Sequence, residues 1–356
     1  MKPFFLLTFS LTFFLSGCEN ERIIDKVQTV ETLGYDMQED KVKGIVIWPT
    51  YEEKGTAKSN SFKTVSDSYE DILPRINSKS EFPIEIGKLD FVLFGKEFAK
   101  KGIDDVITNL SRDPIAGSRM QIVIAENTAE EIINSSKKLS LPFHLSNKIN
   151  HNIEKGNLPK TNLHLFMTDH YSEGKDPYLP YLILEEGQIK IGGLALLKEG
   201  KFVHNINLRE SFFVKILHDG TAHGQYYTKI KVHNKEVQLL LRNLDAKAKY
   251  AVDKSKRDPR ILIDLTIDTE IKISPSWFNL NKHVLELEQV LNEQFNEEVE
   301  RLVLLFQEYN IDPLGLGEKV RATSRNWDYQ RFKDIYPDIK TTVHTNVNIL
   351  NTGIVE

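Results

Sequence analysis

Cysteine is almost absent from this chain: its 356 residues include a single one, Cys18. One thiol excludes an intrachain disulfide and any site built on several cysteine ligands. A Gly-x-Ser-x-Gly elbow, a phosphate-binding loop and a His-Glu-x-x-His pair are all missing, which leaves the common hydrolase and nucleotide-binding chemistries without their signatures. Long apolar runs are missing after the first fifteen residues, and no later stretch approaches the roughly 20 residues a membrane-spanning helix needs. An excess of charge of one sign is missing as well. Lysine and arginine total 46 against 51 aspartate and glutamate, for a net charge of −5, and the two signs are interleaved. That balance argues against a nucleic-acid partner and against a polybasic membrane patch. There is no internal repeat and no low-complexity tract.

What is present starts at the N-terminus. Met1-Lys2 supplies a minimal positive segment, and Phe4 to Leu15 is apolar apart from Thr8, Ser10 and Thr12. Leu15-Ser16-Gly17-Cys18 then closes the run and has the pattern of a lipobox. The small residues give a signal peptidase access to the backbone, and the thiol is the nucleophile that accepts a diacylglycerol. Cleavage before Cys18 makes residues 1–17 a lipoprotein signal peptide and leaves the mature body tethered to a membrane outside the cytoplasm. Two or more acyl chains hold stably where one does not. An ordinary secretory signal or an uncleaved anchor are the alternative readings of the same segment.

Beyond the tether, strand and helix patterns alternate from Val27 to Leu139. Leu89 to Phe94 reads as a buried strand, Phe98 to Leu110 as a helix, and Thr128 as the N-cap of another helix with Glu131 completing a capping box. Residues 51–63 have loop composition, and so do residues 169–181. A hairpin is expected about Glu186-Gly187. The C-terminal part carries strands over Gln225–His233, Ile261–Ile273 and Lys340–Leu350. Between them residues 282–309 form a long helix, with Leu287, Leu291, Phe295, Leu302 and Phe306 on one face. The expected class is α+β: an N-terminal α/β domain over residues 18–200 and a C-terminal domain over residues 201–356, an antiparallel-type sheet covered by the long helix.

Several short motifs recur in one order. They are the lipobox, Leu33-Gly34-Tyr35-Asp36, Arg112-Asp113-Pro114, Pro180-Tyr181 with Gly193-Leu194-Ala195, Asp312-Pro313-Leu314-Gly315-Leu316-Gly317-Glu318, and Tyr336-Pro337-Asp338 followed by a strand and Asn351-Thr352-Gly353. Together they resemble the C-subunit, or Ger(x)C, lipoproteins of spore germination receptors in endospore-forming bacteria. The pattern departs from the family where Glu19-Asn20 follows the lipid cysteine and where Lys88 precedes the strand at Leu89. The resemblance implies a non-catalytic subunit on the outer face of the spore inner membrane. It would be anchored by a diacylglyceryl-cysteine and work beside two membrane-embedded subunits of a nutrient receptor. It implies no cofactor. A lipid-anchored solute-binding protein of a transporter and a tethered hydrolase are the competing classes; the first expects two lobes around a ligand cleft.

Candidate side chains are few. His218, Asp219 and His223 have poor metal-ligand spacing and read as a solvated turn; His164 and His170, flanking Met167 and Asp169, read as surface. The segment from Asn310 to Glu318 is more informative. Asn310 suits a left-handed cap after the long helix, with Ile311 packing back on Phe306. Asp312 then reads as an N-cap and Pro313 as the first residue of a following helix. Gly315 and Gly317 are unexplained by capping, since each costs up to about 1 kcal/mol in a helix relative to alanine. They point to a positive φ or to a backbone approaching closely, either from within the chain or from a receptor subunit. Glu318 closes this turn.

Overall fold

A computed structural model describes residues 27–51, 57–113, 117, 119–137, 144–220, 223–253 and 258–351. The lipobox, Leu15 to Cys18, lies outside the described residues, as do Pro114, Thr352 and Gly353.

In chain order the first part contains β1 (Gln28–Thr29), β2 (Thr32–Gln38), β3 (Lys41–Tyr51), β4 (Ala57–Ser66), α1 (Ile72–Asn77), β5 (Ile84–Glu85), β6 (Phe91–Gly95), α2 (Lys96–Lys101), α3 (Asp104–Arg112), β7 (Gln121–Ala125), α4 (Ala129–Lys137), α5 (His144–Glu154) and α6 (Leu163–His170). It continues with β8 (Tyr178–Glu185), β9 (Gln188–Lys198), β10 (Lys201–Asn207) and α7 (Leu208–Asp219). Eight of these strands form one mixed sheet in the order β10-β9-β8-β7-β6-β2-β3-β4. Its centre, β2, β6, β7 and β8, is parallel, and hairpins extend both edges. Successive side chains of a strand point to opposite faces. Val92 and Phe94 of β6 therefore pack under α2, α3 and α6, while Phe91 and Leu93 pack under α4 on the other face. Both faces of the sheet are covered, which accounts for the unbroken apolar run of β6.

Several expectations are corrected here. Residues 57–63, part of the 51–63 stretch read as loop, belong to edge strand β4: its polar side chains leave little hydrophobic signal, while Phe62 packs on Trp48 at 5.0 Å. Helix α6 occupies Leu163–His170, where only a loop from residue 169 was expected; Asn162 caps it by accepting from the Leu165 N–H at 2.8 Å. The sheet also runs past the division expected at residue 200, since β10 hydrogen-bonds to β9 through Asn207.

The second part holds β11 (Gln225–Val232), β12 (Lys235–Asp253), β13 (Arg260–Ile273), α8 (Val284–Glu308), α9 (Leu316–Ala322), α10 (Tyr329–Ile335) and β14 (Thr341–Asn351). The four strands form a sheet in chain order. β11, β12 and β13 are antiparallel, whereas β14 runs parallel to β13 because α8 carries the chain back across the sheet. The 25-residue α8 buries Leu287, Leu291, Phe295, Val299, Leu302 and Phe306, the stripe its spacing predicts. α7 joins the same core: Phe213 meets Phe295 edge-on at 5.2 Å. One hydrophobic core therefore continues from the lower face of the large sheet, through α7, to α8 and the small sheet. Helices and two sheets packed around that core make this an α+β protein.

The junction between the two sheets as candidate functional site

The motif residues of the C-terminal part gather where the two sheets meet. α8 ends with Asn310 at φ 50°, and the Ile311 N–H reaches back to the Phe306 carbonyl at 2.9 Å, a Schellman arrangement. Asp312 follows, 4% exposed. Its carboxylate accepts from the N–H groups of Leu316 at 2.9 Å and Gly317 at 2.7 Å, so it caps α9. It does so from farther back than expected. The cap position itself is Gly315, at φ 66°, and Pro313 lies in the turn before the helix and not at its first residue. The left-handed φ is what the glycine supplies at 315.

Gly317 meets a different demand. A Cβ there would stand 2.6 Å from the Gly174 Cα and 2.6 Å from Cε1 of Phe332. The approaching backbone belongs to this chain, in the segment between α6 and β8. That segment and the Asp312 turn are matched almost residue by residue. Ser172 Oγ donates to Glu318 at 2.6 Å, and Trp327 Nε1 donates to Glu173 at 2.9 Å. The Glu318 N–H donates to the Gly174 carbonyl at 3.1 Å. Asp176 and Asp312 exchange bonds: the Asp176 N–H donates to the Asp312 carbonyl at 2.9 Å, and the Asp312 N–H donates to the Asp176 carboxylate at 2.7 Å. Outside this ladder Lys333 pairs with Glu199 at 3.0 Å. Tyr336, of the Tyr336-Pro337-Asp338 motif, donates its hydroxyl to the Ile311 carbonyl at 2.7 Å.

A buried carboxyl, Asp312, and a half-buried one, Asp176, therefore lie side by side. Burial pushes Asp312 up to about 7; the N–H groups of Gly317 and Leu316 oppose the shift, and the charge of Asp176 adds to it. Asp176 is raised as well, by burial, against the Asp312 N–H. A cavity of about 30 Å³ opens beside them, lined by Asp176, Lys198, Asp312, Tyr329, Lys333 and Tyr336. It has room for a water or two, far below the several hundred Å³ of a typical ligand cleft.

The histidines read as surface have differing surroundings. His218 stands in the last turn of α7 with Lys175 Nζ at 2.6 Å from Nε2 and Asp219 at 3.1 Å from Nδ1. Lys175 also pairs with Asp169 at 2.8 Å. His218 itself is exposed, as expected of a solvated turn, and the Lys175 ammonium stands beside one ring nitrogen. His223 is exposed and His164 is exposed; His170 stacks on Phe166 at 5.6 Å. Other motif residues act locally. Asp36, buried beneath the start of α4, accepts from Ala129 N–H at 2.6 Å and Glu130 N–H at 2.9 Å, while Thr128 accepts from Glu131 N–H at 3.2 Å. Sequence reading missed Asp36 as a cap because helix and cap are about ninety residues apart. It also missed a cluster of His233, His283 and Glu286 at the far end of the small sheet.

The architecture is that of a two-part α+β protein whose halves are locked through the Asp312 turn. Comparison with known proteins also finds two parts in the chain. Residues 20–184 match the family described as the spore germination protein N-terminal domain, and residues 192–353 match the spore germination B3/GerAC-like C-terminal domain. The chain belongs to the GerAC-like, or Ger(x)C, family of spore germination proteins. It is similar to spore germination protein GerQC of Bacillus cereus, at 26% identity with 99% of each chain covered. It is also similar to the putative spore germination protein YfkR of Bacillus subtilis strain 168, at 20% identity over 96% of this chain and 94% of that one. The crystal structure of the GerBC protein superimposes with a TM-score of 0.59 at 14% identity, covering 90% of this chain and 97% of the other, which shows a shared fold.

Proposed function

We propose that the chain is the lipid-anchored, non-catalytic subunit of a nutrient germinant receptor, held on the non-cytoplasmic face of the spore inner membrane through Cys18 and working beside two membrane-embedded subunits. The observation that carries this reading is the match to both halves of the germination family, in order and over nearly the whole chain. The leader fits it: Leu15-Ser16-Gly17-Cys18 offers a lipid nucleophile, and no helix among the described residues is long and apolar enough to cross a membrane. The junction fits it too. A ligand-binding pair of lobes needs a cleft that opens and closes, whereas here the lobes share one core and a ladder of short hydrogen bonds around a cavity of about 30 Å³. That favours a rigid body presenting surfaces to partners over a transporter's solute-binding protein.

The test is recovery of a tagged chain from detergent-solubilised spore membranes, with mass spectrometry of what comes with it. Two multi-span membrane proteins of the receptor type are expected. A permease and an ATPase in their place, or no partner at all, would refute the assignment.

A further inference from the structure

We propose that His233, His283 and Glu286 form a binding site for one divalent transition-metal ion of the zinc type. The three side chains come from two elements. β11 and β12 are joined by the two-residue turn His233-Asn234, with φ 49° and 62°, a type I′ hairpin that projects His233 from its tip. His283 is the residue before α8, and Glu286 lies three positions on, in the first turn and on the same face. Nε2 of His233 is 3.6 Å from Oε1 of Glu286, and Nδ1 of His283 is 3.1 Å from Oε2. One ligand atom from each of the three lies within 4.8 Å of the others. Tetrahedral zinc with bonds of about 2.0–2.1 Å sets its ligand atoms about 3.3 Å apart; the two nitrogens approach different oxygens of the Glu286 carboxylate, so a small rotation of that carboxylate would bring one oxygen to both.

Supporting contacts favour a held site over a chance meeting. The His283 ring stacks on Phe278 at 5.0 Å and 25°, and Phe278 is itself buried, so this imidazole has a fixed plane. The His233 ring stands edge-on to it at 5.3 Å and 69°, with its nitrogen turned toward the same carboxylate. Two imidazoles and one carboxylate are a donor set for zinc, cobalt or nickel and not for calcium, which takes six to eight oxygens. Three protein ligands leave a fourth position for water or for a donor from outside the chain. One term opposes binding: the positive end of the α8 dipole faces the ion. Glu286 offsets it, and moderate affinity is the expected result. The bound ion would clasp the β11–β12 hairpin to the start of the long helix.

The experiment is equilibrium dialysis of zinc chloride against the full-length chain in detergent, with thermal melts alongside. One ion per chain is expected, with a melting temperature that rises with zinc, and calcium in excess should not displace it. His233→Asn keeps the left-handed turn conformation, which asparagine tolerates, and should weaken binding at least about tenfold. Glu286→Gln should weaken it similarly, while His223→Ala, at an exposed residue outside the cluster, should leave it unchanged. A chain that binds no zinc at saturating concentration, or one whose binding survives both His233→Asn and Glu286→Gln, overturns the proposal.

Discussion

Replacing Gly317 by alanine adds one methyl group where the structure leaves no space. The new Cβ would meet the Gly174 Cα at 2.6 Å, the Gly174 carbonyl oxygen at 2.9 Å and the Phe332 ring at 2.6 Å. Two of the three obstacles are backbone and cannot rotate aside, so the two segments must separate. Overpacking of this kind costs about 1–3 kcal/mol, and losing the Glu318-to-Gly174 hydrogen bond adds about 0.5–1.5 kcal/mol. Alanine recovers up to about 1 kcal/mol through its better helix propensity in α9. The net is a destabilisation of about 1–3 kcal/mol, or a melting temperature lower by about 4–8 °C at the middle of that range for a cooperative unit of ~150–250 residues. Differential scanning calorimetry of the purified chain measures it. Gly117→Ala is the control, because a Cβ there meets nothing within 4 Å. If Gly317→Ala melts with the Gly117→Ala control, the close approach does not constrain the junction and the reasoning fails.

Asp312 should make stability depend on pH. Its folded value of about 7 lies above the ordinary 3.8, so the folded chain keeps a proton that the unfolded chain releases, and raising the pH from about 4 to about 7 lowers stability by up to about 4 kcal/mol. Asp312→Asn should flatten that slope in melts recorded across the same range; parallel curves for the two proteins would contradict the assignment. Leu302→Ala, at a 1% exposed position on α8, should cost about 2–5 kcal/mol in chemical denaturation, and an unchanged midpoint would mean the stripe is not core. Cys18→Ala should move the protein from washed membranes to the soluble fraction, since no other thiol can accept a lipid; undiminished retention, in the absence of membrane partners, would rule out the anchor.

The elements that could be read from sequence are those with one buried face. α8 has an apolar stripe at helical spacing, and β14 alternates through Val343, Thr345 and Val347, so each declares its own geometry. α7 does not. Its residues Ser211 to Leu217 are buried all round, including Lys215, whose ammonium donates to the Leu158 carbonyl at 3.0 Å, and burial on every side erases the period. β12 is hidden for another reason. A register shift at Asn243/Asp245 moves its buried positions from odd to even numbers midway, and the inner face of its outer half, Ala248, Tyr250 and Val252, is only partly buried. The junction was half legible. Two glycines left unexplained by the caps expected at Asn310 and Asp312 announced a constraint near residue 315. The matching segment, Ser172 to Asp176, carries no pattern of its own, because its order comes entirely from contacts with residues about 140 positions away. His233, His283 and Glu286 escaped for the same reason: a hairpin tip meets a helix start only after the sheet has formed.

The parallel pairing of β14 with β13 bears on the order in which the molecule can be assembled. Ile261 meets Thr341, about 80 residues later, with the whole of α8 between them. Until that last strand has been synthesised, β13 presents an open ladder edge backed by Ile261, Ile263, Leu265 and Ile267. Pairings between such distant segments form late, after the entropy of closing the intervening loop has been met. During that interval the nascent chain carries an unprotected template for adding a foreign strand. A stop codon just before residue 341 would make the interval permanent. Such a product should be recovered as aggregate or be degraded, even though it retains the entire eight-stranded sheet and the junction.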